Sequence, residues 1–194
     1  MNNSKTFLNL NLLKQKKFNF NKPGKYIVFF HNLSGELIFN INAKGVDLDI
    51  YGLYTGKDQD KFIVKTQQRH VAPSARSNLL IKGVFDDTSS FHYEGLIKIE
   101  KKAQQSHAYQ KNQNIILADG VFIRSEPFLE ILANEVFCTH GSTTGKLNED
   151  QIFFLQSRGL KKTDARKILL KGFLDEIYHK LMDEKIQIIK PKYD

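Results

Sequence analysis

Residues Phe137–Gly159 read FCTHGSTTGKLNEDQIFFLQSRG, and the pattern of the chain changes within this stretch. Up to Lys146 it has no helical periodicity, which is typical of extended structure. Beyond it, Asn148 followed three residues later by Gln151 predicts a helix that begins with a capping box. Gly159 can adopt the left-handed conformation that ends a helix. The stretch therefore predicts a boundary between a β region and a C-terminal helical region.

Two C-terminal helices are predicted beyond this boundary. The first contains Ile-Phe-Phe-Leu at 152–155, which is apolar nearly all round and predicts a buried helix. The second is capped by Thr163, and its apolar residues recur at helical spacing. They are Ala165, Ile168, Leu169, Gly172, Phe173, Ile177 and Leu181. This is more apolar surface than two helices bury easily, so Phe173 and Ile177 are predicted to dock a partner. The alternative is that both pack on Phe153 and Phe154.

Short strand-like runs separated by polar turns occupy the chain from about Tyr26 to Phe137. Val46–Ile50 alternates strictly between apolar and polar residues, as a half-buried strand does. Leu-Leu-Ile at 79–81 and Ile-Ile-Leu at 115–117 are continuous apolar runs, and turn signals such as Asp-Asp-Thr-Ser at 86–89 separate the strands. The region is therefore predicted to be all-β. Because the region has no strict repeat, the pattern alone does not distinguish between a sandwich, a barrel and a β-solenoid.

Composition limits the class of protein. The chain has 194 residues, of which 41% are hydrophobic and 26% charged, as in globular proteins. It contains no long apolar run, so no membrane span is expected, and its N-terminal residues do not resemble a secretory signal. The single cysteine fits a reducing compartment, and a cytoplasmic location is expected. The net charge of +8 comes from scattered lysines, which favours a lysine-rich surface over a nucleic-acid site.

Two motifs in the opening stretch suggest chemistry. Gly141–Lys146 resembles a phosphate-binding loop, but it has too few residues between its glycines and Leu147 in place of the magnesium-binding hydroxyl. In Cys138-Thr139-His140, residues two apart on an extended segment point the same way, so a thiol and an imidazole suited to iron lie side by side. Two ligands cannot hold a cluster, so another chain would complete such a site. The alternative is a small buried cysteine and a turn histidine.

Several blocks of the chain, from about His70 to Ile177, resemble the SufB/SufD family of the SUF iron–sulfur cluster assembly system. The most specific block is QIFFLQSRG at 151–159. The others are HVAPSARS at 70–77, LLIKGVFD at 79–86, FHYEGLI at 91–97, AQQ at 103–105 with NIIL at 114–117, PFLEI at 127–131 and CTHG at 138–141. The resemblance is to the SufD type, because no cysteine lies within Tyr109–Asn114, where the SufB type has one. Compared with the family, the chain is expected to be N-terminally short.

The resemblance implies a mainly β fold, a right-handed parallel β-helix followed by two C-terminal α-helices. The expected organisation is an N-terminal extension at 1–24, a β-helix core at 25–146, a helical region at 147–189 and a tail at 190–194. The family further implies a non-catalytic scaffold, not an enzyme. Such a scaffold pairs with a SufB-like subunit or with itself, and docks a SufC-like ABC ATPase, for which Phe173 and Ile177 are the predicted residues.

In this reading a transient iron–sulfur cluster is shared at the subunit interface. His140 is the expected metal ligand, and Cys138 is the second residue of the site. Two alternatives remain open at this stage. One is a structural protein-binding module whose cluster site has decayed, and the other is a basic nucleic-acid binder.

Overall fold

A computed structural model describes residues 5–13 and 15–182 of the chain. Within these residues the chain forms eleven strands, a short 3₁₀ helix at Leu10–Leu12 and two α-helices. The strands are β1 (Thr6–Asn9), β2 (Lys17–Phe20), β3 (Gly24–His31), β4 (Gly35–Ile41), β5 (Val46–Gly56), β6 (Lys61–His70), β7 (Arg76–Phe85), β8 (Ser90–Ile99), β9 (His107–Ile116), β10 (Phe122–Ile131) and β11 (Phe137–Gly145). The helices are α1 (Glu149–Ser157) and α2 (Lys162–Met182). The predicted tail at 190–194 lies outside the described residues.

Successive strands alternate between two parallel sheets. Sheet A has the order β1-β3-β5-β7-β9-β11, and sheet B has the order β10-β8-β6-β4-β2. Each turn of the chain, called a rung here, adds one strand to each sheet. The structure confirms the predicted class, a mainly β parallel solenoid followed by two helices. Gly24 pairs with Val46, whereas Arg76 pairs with His107, so rung length varies and the sequence shows no strict repeat.

The space between the two sheets is filled by every second side chain of each strand. On β8, for example, Phe91, Tyr93 and Ile97 are fully buried, while His92 and Glu94 between them face outward. Aromatic rings pack against one another in this space, with the Tyr54 and Phe91 centroids 4.6 Å apart and their planes inclined by 47°. Alternation of apolar and polar residues therefore produces the solenoid, because one face of each sheet is covered by the other sheet.

The structure differs from the prediction for residues 1–24, which were expected to form an extension outside the β-helix. Strand β1 pairs in parallel with β3, and β2 pairs in parallel with β4, so both sheets begin before residue 25. The physical reason is local. In Lys17-Phe18-Asn19-Phe20 the two phenylalanines are buried while Lys17 and Asn19 are exposed, so this segment covers the first rung of the core.

The start of α1 has the Asn148 half of the predicted capping box. The side chain of Asn148 accepts a hydrogen bond of 3.1 Å from the Gln151 backbone N–H, and Glu149 and Asp150 lie in the first turn, where the helix dipole favours negative charge. Gly159 follows the helix with φ of 90°. Neither α1 nor α2, nor any other helix in the described part of the chain, is long and apolar enough to cross a membrane.

Helix α2 packs against the outer face of sheet A. Its buried residues Leu170, Leu174, Ile177, Tyr178 and Leu181 form one cluster with strand residues that include Ile27, Phe29, Tyr51, Leu53 and Leu80. The outer face of sheet A is therefore apolar, unlike an ordinary solvated sheet face. This second core holds the helical region on the solenoid, against strands β3, β5 and β7.

Candidate functional site

The last rung of the solenoid is formed by β10 and β11, which are the outermost strands of sheets B and A. In the described part of the chain each pairs with a strand on one side only, β10 with β8 and β11 with β9. Side chains that point between the sheets are covered in earlier rungs by the next rung. No further rung of the described chain lies over the inward-pointing side chains of β10 and β11. We call this end of the solenoid the open end.

His140 lies in the middle of β11, in register with Gln110 of β9. Gln110 is fully buried between the sheets, so His140, which shares its orientation in a parallel ladder, also points toward the space between the sheets. Its side chain is nevertheless exposed, because it belongs to the open end. No side chain or backbone group in the described chain forms a hydrogen bond with its imidazole. The ring is therefore accessible to a ligand from outside.

Cys138 lies on the same face as His140, two residues away and in register with the buried Ala108. Unlike His140, it packs against an apolar cluster that contains Ile97, Ile99 and Ala133. Burial raises the pKa of the Cys138 thiol to about 11. A metal ligand must be a thiolate, and a thiol with this pKa is protonated at neutral pH. The structure thus brings the two predicted residues together on one face, with the imidazole exposed and the thiol half-buried.

Polar side chains surround His140 at the open end. Ser142 of β11 donates a hydrogen bond of 2.9 Å to Ser125 of β10, which joins the two edge strands across the mouth of the solenoid. Below His140, the Gln110 amide nitrogen donates to the Gly95 carbonyl oxygen at 3.1 Å, and its amide oxygen has no partner among the described residues. One imidazole, two hydroxyl groups and an amide oxygen suit a metal ion or a polar ligand, but they include no second strong ligand for iron. A cluster would need ligands from another chain.

Phe173 and Ile177 were predicted to dock a partner, but the structure does not place them on an exposed surface. Ile177 is fully buried in the core between α2 and sheet A, and Phe173 is partly buried at the edge of that core. The buried Lys82 holds Phe173 in place. Its ammonium donates to the Phe173 carbonyl oxygen at 2.7 Å, lies 4.3 Å from the centroid of its ring and pairs with Glu176 at 2.5 Å. The alternative packing on Phe153 and Phe154 is not found either, because the apolar partner of this helix face is a sheet.

The exposed apolar residues of the helical region are others. Phe153 and Phe154 of α1 are 71% and 56% exposed, and Ile168 of α2 is 47% exposed. The prediction that α1 is buried all round is therefore wrong, since Ile152 is its one fully buried residue. A nine-residue helix that contacts a single neighbouring helix can bury only one stripe. The sequence signal for this exposure is the run of four apolar residues at 152–155. Consecutive residues point to different sides of a helix, so a single buried stripe cannot include all four.

Comparison with known proteins supplies the family. The family model described as "SUF system FeS cluster assembly, SufBD core domain" matches residues 25–173, well over half of the chain. An iron–sulfur cluster assembly SufBD family protein of Mycobacterium leprae is 32% identical over 174 residues, which cover 81% of this chain and 44% of that protein. The iron–sulfur cluster assembly protein SufD of Escherichia coli is 29% identical over 160 residues, which cover 82% of this chain and 37% of SufD.

A third relative, an iron–sulfur cluster assembly SufBD family protein of Synechocystis, is 36% identical over 105 residues, or 54% of this chain and 23% of that protein. The chain thus spans less than half of the length of each of these relatives. The matched segment runs from β3 into α2, so it includes the open end and the first part of the helix that packs on the outer face of sheet A. The chain belongs to the SufBD family of the SUF system for iron–sulfur cluster assembly.

Proposed function

We propose that this chain is a non-catalytic, SufD-type scaffold that presents His140 at an interface with a SufB-like subunit or a second copy of itself. A nascent iron–sulfur cluster is the cargo of this interface. The C-terminal helices dock a SufC-like ABC ATPase, which supplies the nucleotide chemistry that this chain lacks. The proposal draws on the family, whose members are named for iron–sulfur cluster assembly, and on the E. coli relative, which is named SufD.

The observation that carries the proposal is the position of His140. It is an exposed, unpartnered imidazole within the described chain, and it lies on an edge strand that has no further neighbour among the described strands. A neutral imidazole is a good iron ligand, and its second nitrogen is normally oriented by a hydrogen bond. A subunit that pairs at the open end would supply both that hydrogen bond and the missing ligands. This explains why one chain contributes so few of them.

Replacing His140 with alanine tests the proposal. His140→Ala is expected to leave the fold and subunit pairing intact, and to reduce the rate and yield of cluster formation on the complex reconstituted with its partner subunits. Cluster formation is followed by the visible absorbance of the cluster after addition of iron and sulfide. Cys138→Ser is expected to have the smaller effect, because its thiol is half-buried and has a raised pKa.

The matched control is His107→Ala. His107 lies on β9 of the same sheet, in register with Phe137, but points to the outer face. Its replacement is expected to leave cluster formation at the wild-type level. Cluster formation at the normal rate in His140→Ala would show that the site is elsewhere. The chain would then be a structural binding module with a decayed site, a reading that the protonated Cys138 thiol favours.

A further inference from the structure

Three potential metal ligands lie on the outer face of sheet B, which faces away from the space between the two sheets. They are His92 and Glu94 on β8 and Glu126 on β10, and their ligand atoms all lie within 4.8 Å of one another. His92 and Glu94 are two residues apart on one strand and therefore share the outer face. All three side chains are half-buried, so they are positioned by their neighbours and still reachable from solvent.

The register of the sheet brings the two carboxylates together. Glu94 pairs directly with Glu126 across the β8–β10 ladder. Like charges directly opposite each other destabilise a sheet, so a group that lies between them and interacts with both is favourable. The imidazole of His92 lies there, with its Nε2 atom 3.0 Å from Glu126 Oε2 and 3.5 Å from Glu94 Oε1. One nitrogen and two carboxylate oxygens therefore converge on one point.

The remaining carboxylate oxygens are held by cations. Lys65 Nζ lies 2.7 Å from Glu94 Oε2, and an Arg124 guanidinium nitrogen lies 2.8 Å from Glu126 Oε1. Each glutamate thus uses one oxygen for a cation that orients it and turns the other oxygen toward His92. In metal sites, ligating carboxylates are commonly oriented by such hydrogen bonds from outside the coordination sphere.

We propose that His92, Glu94 and Glu126 form a binding site for a divalent first-row transition-metal ion. Imidazole nitrogen together with carboxylate oxygen is a ligand set that Zn²⁺ and Fe²⁺ accept, and solvent would fill the remaining coordination positions. His92 Nε2, Glu94 Oε1 and Glu126 Oε2 are the ligand atoms. The site does not rest on the proposed function, because it lies on the outer face of sheet B, whereas His140 points between the sheets from sheet A.

Zinc binding to the metal-free full-length chain tests this site. Isothermal titration calorimetry with Zn²⁺ is expected to show one binding event in the wild type that is lost or weakened in His92→Ala and in Glu126→Gln. Loss of an outer-shell partner commonly weakens metal binding about 10- to 100-fold, and loss of a ligand is expected to weaken it at least as much. Glu126→Gln preserves the size of the side chain, so it decides the matter if His92→Ala fails to fold by circular dichroism.

The control is His107→Ala, which removes an exposed histidine from the outer face of the other sheet. This variant is expected to retain the event. The proposal is overturned if the wild-type chain shows no stoichiometric Zn²⁺ binding, since His92 would then serve only as a hydrogen-bonding partner of the two glutamates. It is equally overturned if the event survives in His92→Ala and Glu126→Gln, or if it is lost in His140→Ala alone.

Discussion

At position 70, a histidine lies fully buried inside the solenoid at the end of β6. Its Nε2 atom is 2.8 Å from Ser77 Oγ on β7, and its Nδ1 atom has no partner among the described residues. Burial lowers the pKa of His70 from its ordinary value of 6.5 to about 4. The folded protein therefore keeps this imidazole neutral under conditions in which an unfolded chain would protonate it.

This difference predicts a dependence of stability on pH. Between pH of about 6.5 and about 4 the unfolded chain binds a proton at His70 that the folded chain does not, so the free energy of unfolding falls as the pH falls. The shift corresponds to a loss of about 3 kcal/mol over that range. Urea unfolding of the wild type and of His70→Gln, measured from about pH 7 to about pH 4, is expected to show a smaller loss in the variant.

The control for this experiment is His107→Gln, an exposed histidine whose loss is expected to leave the pH dependence of the wild type unchanged. His70→Leu provides a second neutral replacement in case the glutamine variant does not fold. Equal losses in the wild type and in both His70 variants would show that His70 is protonated in the folded state. The buried position of the ring would then be wrong.

At the scale of elements, α1 and α2 divide two roles between them. Helix α2 covers the outer face of sheet A with Leu174, Ile177 and Leu181, so its apolar face already has a partner. Phe154 and Leu155 of α1 and Ile168 and Leu169 of α2 line a shallow groove between the helices. An exposed apolar surface of this kind is typical of protein interfaces. We therefore place the proposed ATPase docking surface at this groove rather than at Phe173 and Ile177.

Charged substitutions separate the two roles. Phe154→Asp is expected to abolish binding to the SufC-like ATPase, and to leave the thermal unfolding transition near that of the wild type. Ile177→Asp is expected instead to unfold the helical region, because an unpaired charge in an apolar core costs several kcal/mol. Pull-down with the ATPase and circular dichroism measure the two effects. Wild-type binding by Phe154→Asp would rule out this docking surface.

At the scale of the whole molecule, the solenoid ends in two unprotected sheet edges. Leu129 and Ile131 of β10 are in register with the buried Ile97 and Ile99 of β8, so they occupy core positions. They are nevertheless 40% and 39% exposed, because no further rung follows within residues 5–13 and 15–182. Open, apolar edges readily pair with another chain, which agrees with subunit pairing at this end.

Leu129→Asp tests whether the open end is the pairing surface. The variant is expected to lose association with the SufB-like subunit or with a second copy, as measured by size-exclusion chromatography with light scattering. It is expected to retain ATPase binding, whereas Phe154→Asp is expected to show the opposite behaviour, so each variant is the control of the other. A Leu129→Asp chain that associates like the wild type would place the subunit interface elsewhere.

Much of the fold was predictable from the sequence because it depends on local interactions. The cap of α1 at Asn148 and its end at Gly159 involve residues a few positions apart, and the boundary between strands and helices follows from them. The side-by-side position of Cys138 and His140 likewise follows from the geometry of one strand. The blocks that resemble the SufBD family selected a solenoid where alternation alone could not, because the rungs differ in length.

Contacts between side chains of neighbouring rungs depend on the register of the strands, and only the tertiary structure decided them. His92 and Glu126 are 34 residues apart, and pairing of β8 with β10 brings their side chains together, so a scattered histidine becomes part of a cluster. Ile177 and Phe154 are both apolar helix residues, yet one is buried and the other exposed. The difference arises because α2 packs on the apolar outer face of sheet A and α1 does not. This face is assembled from strands that are distant in the sequence.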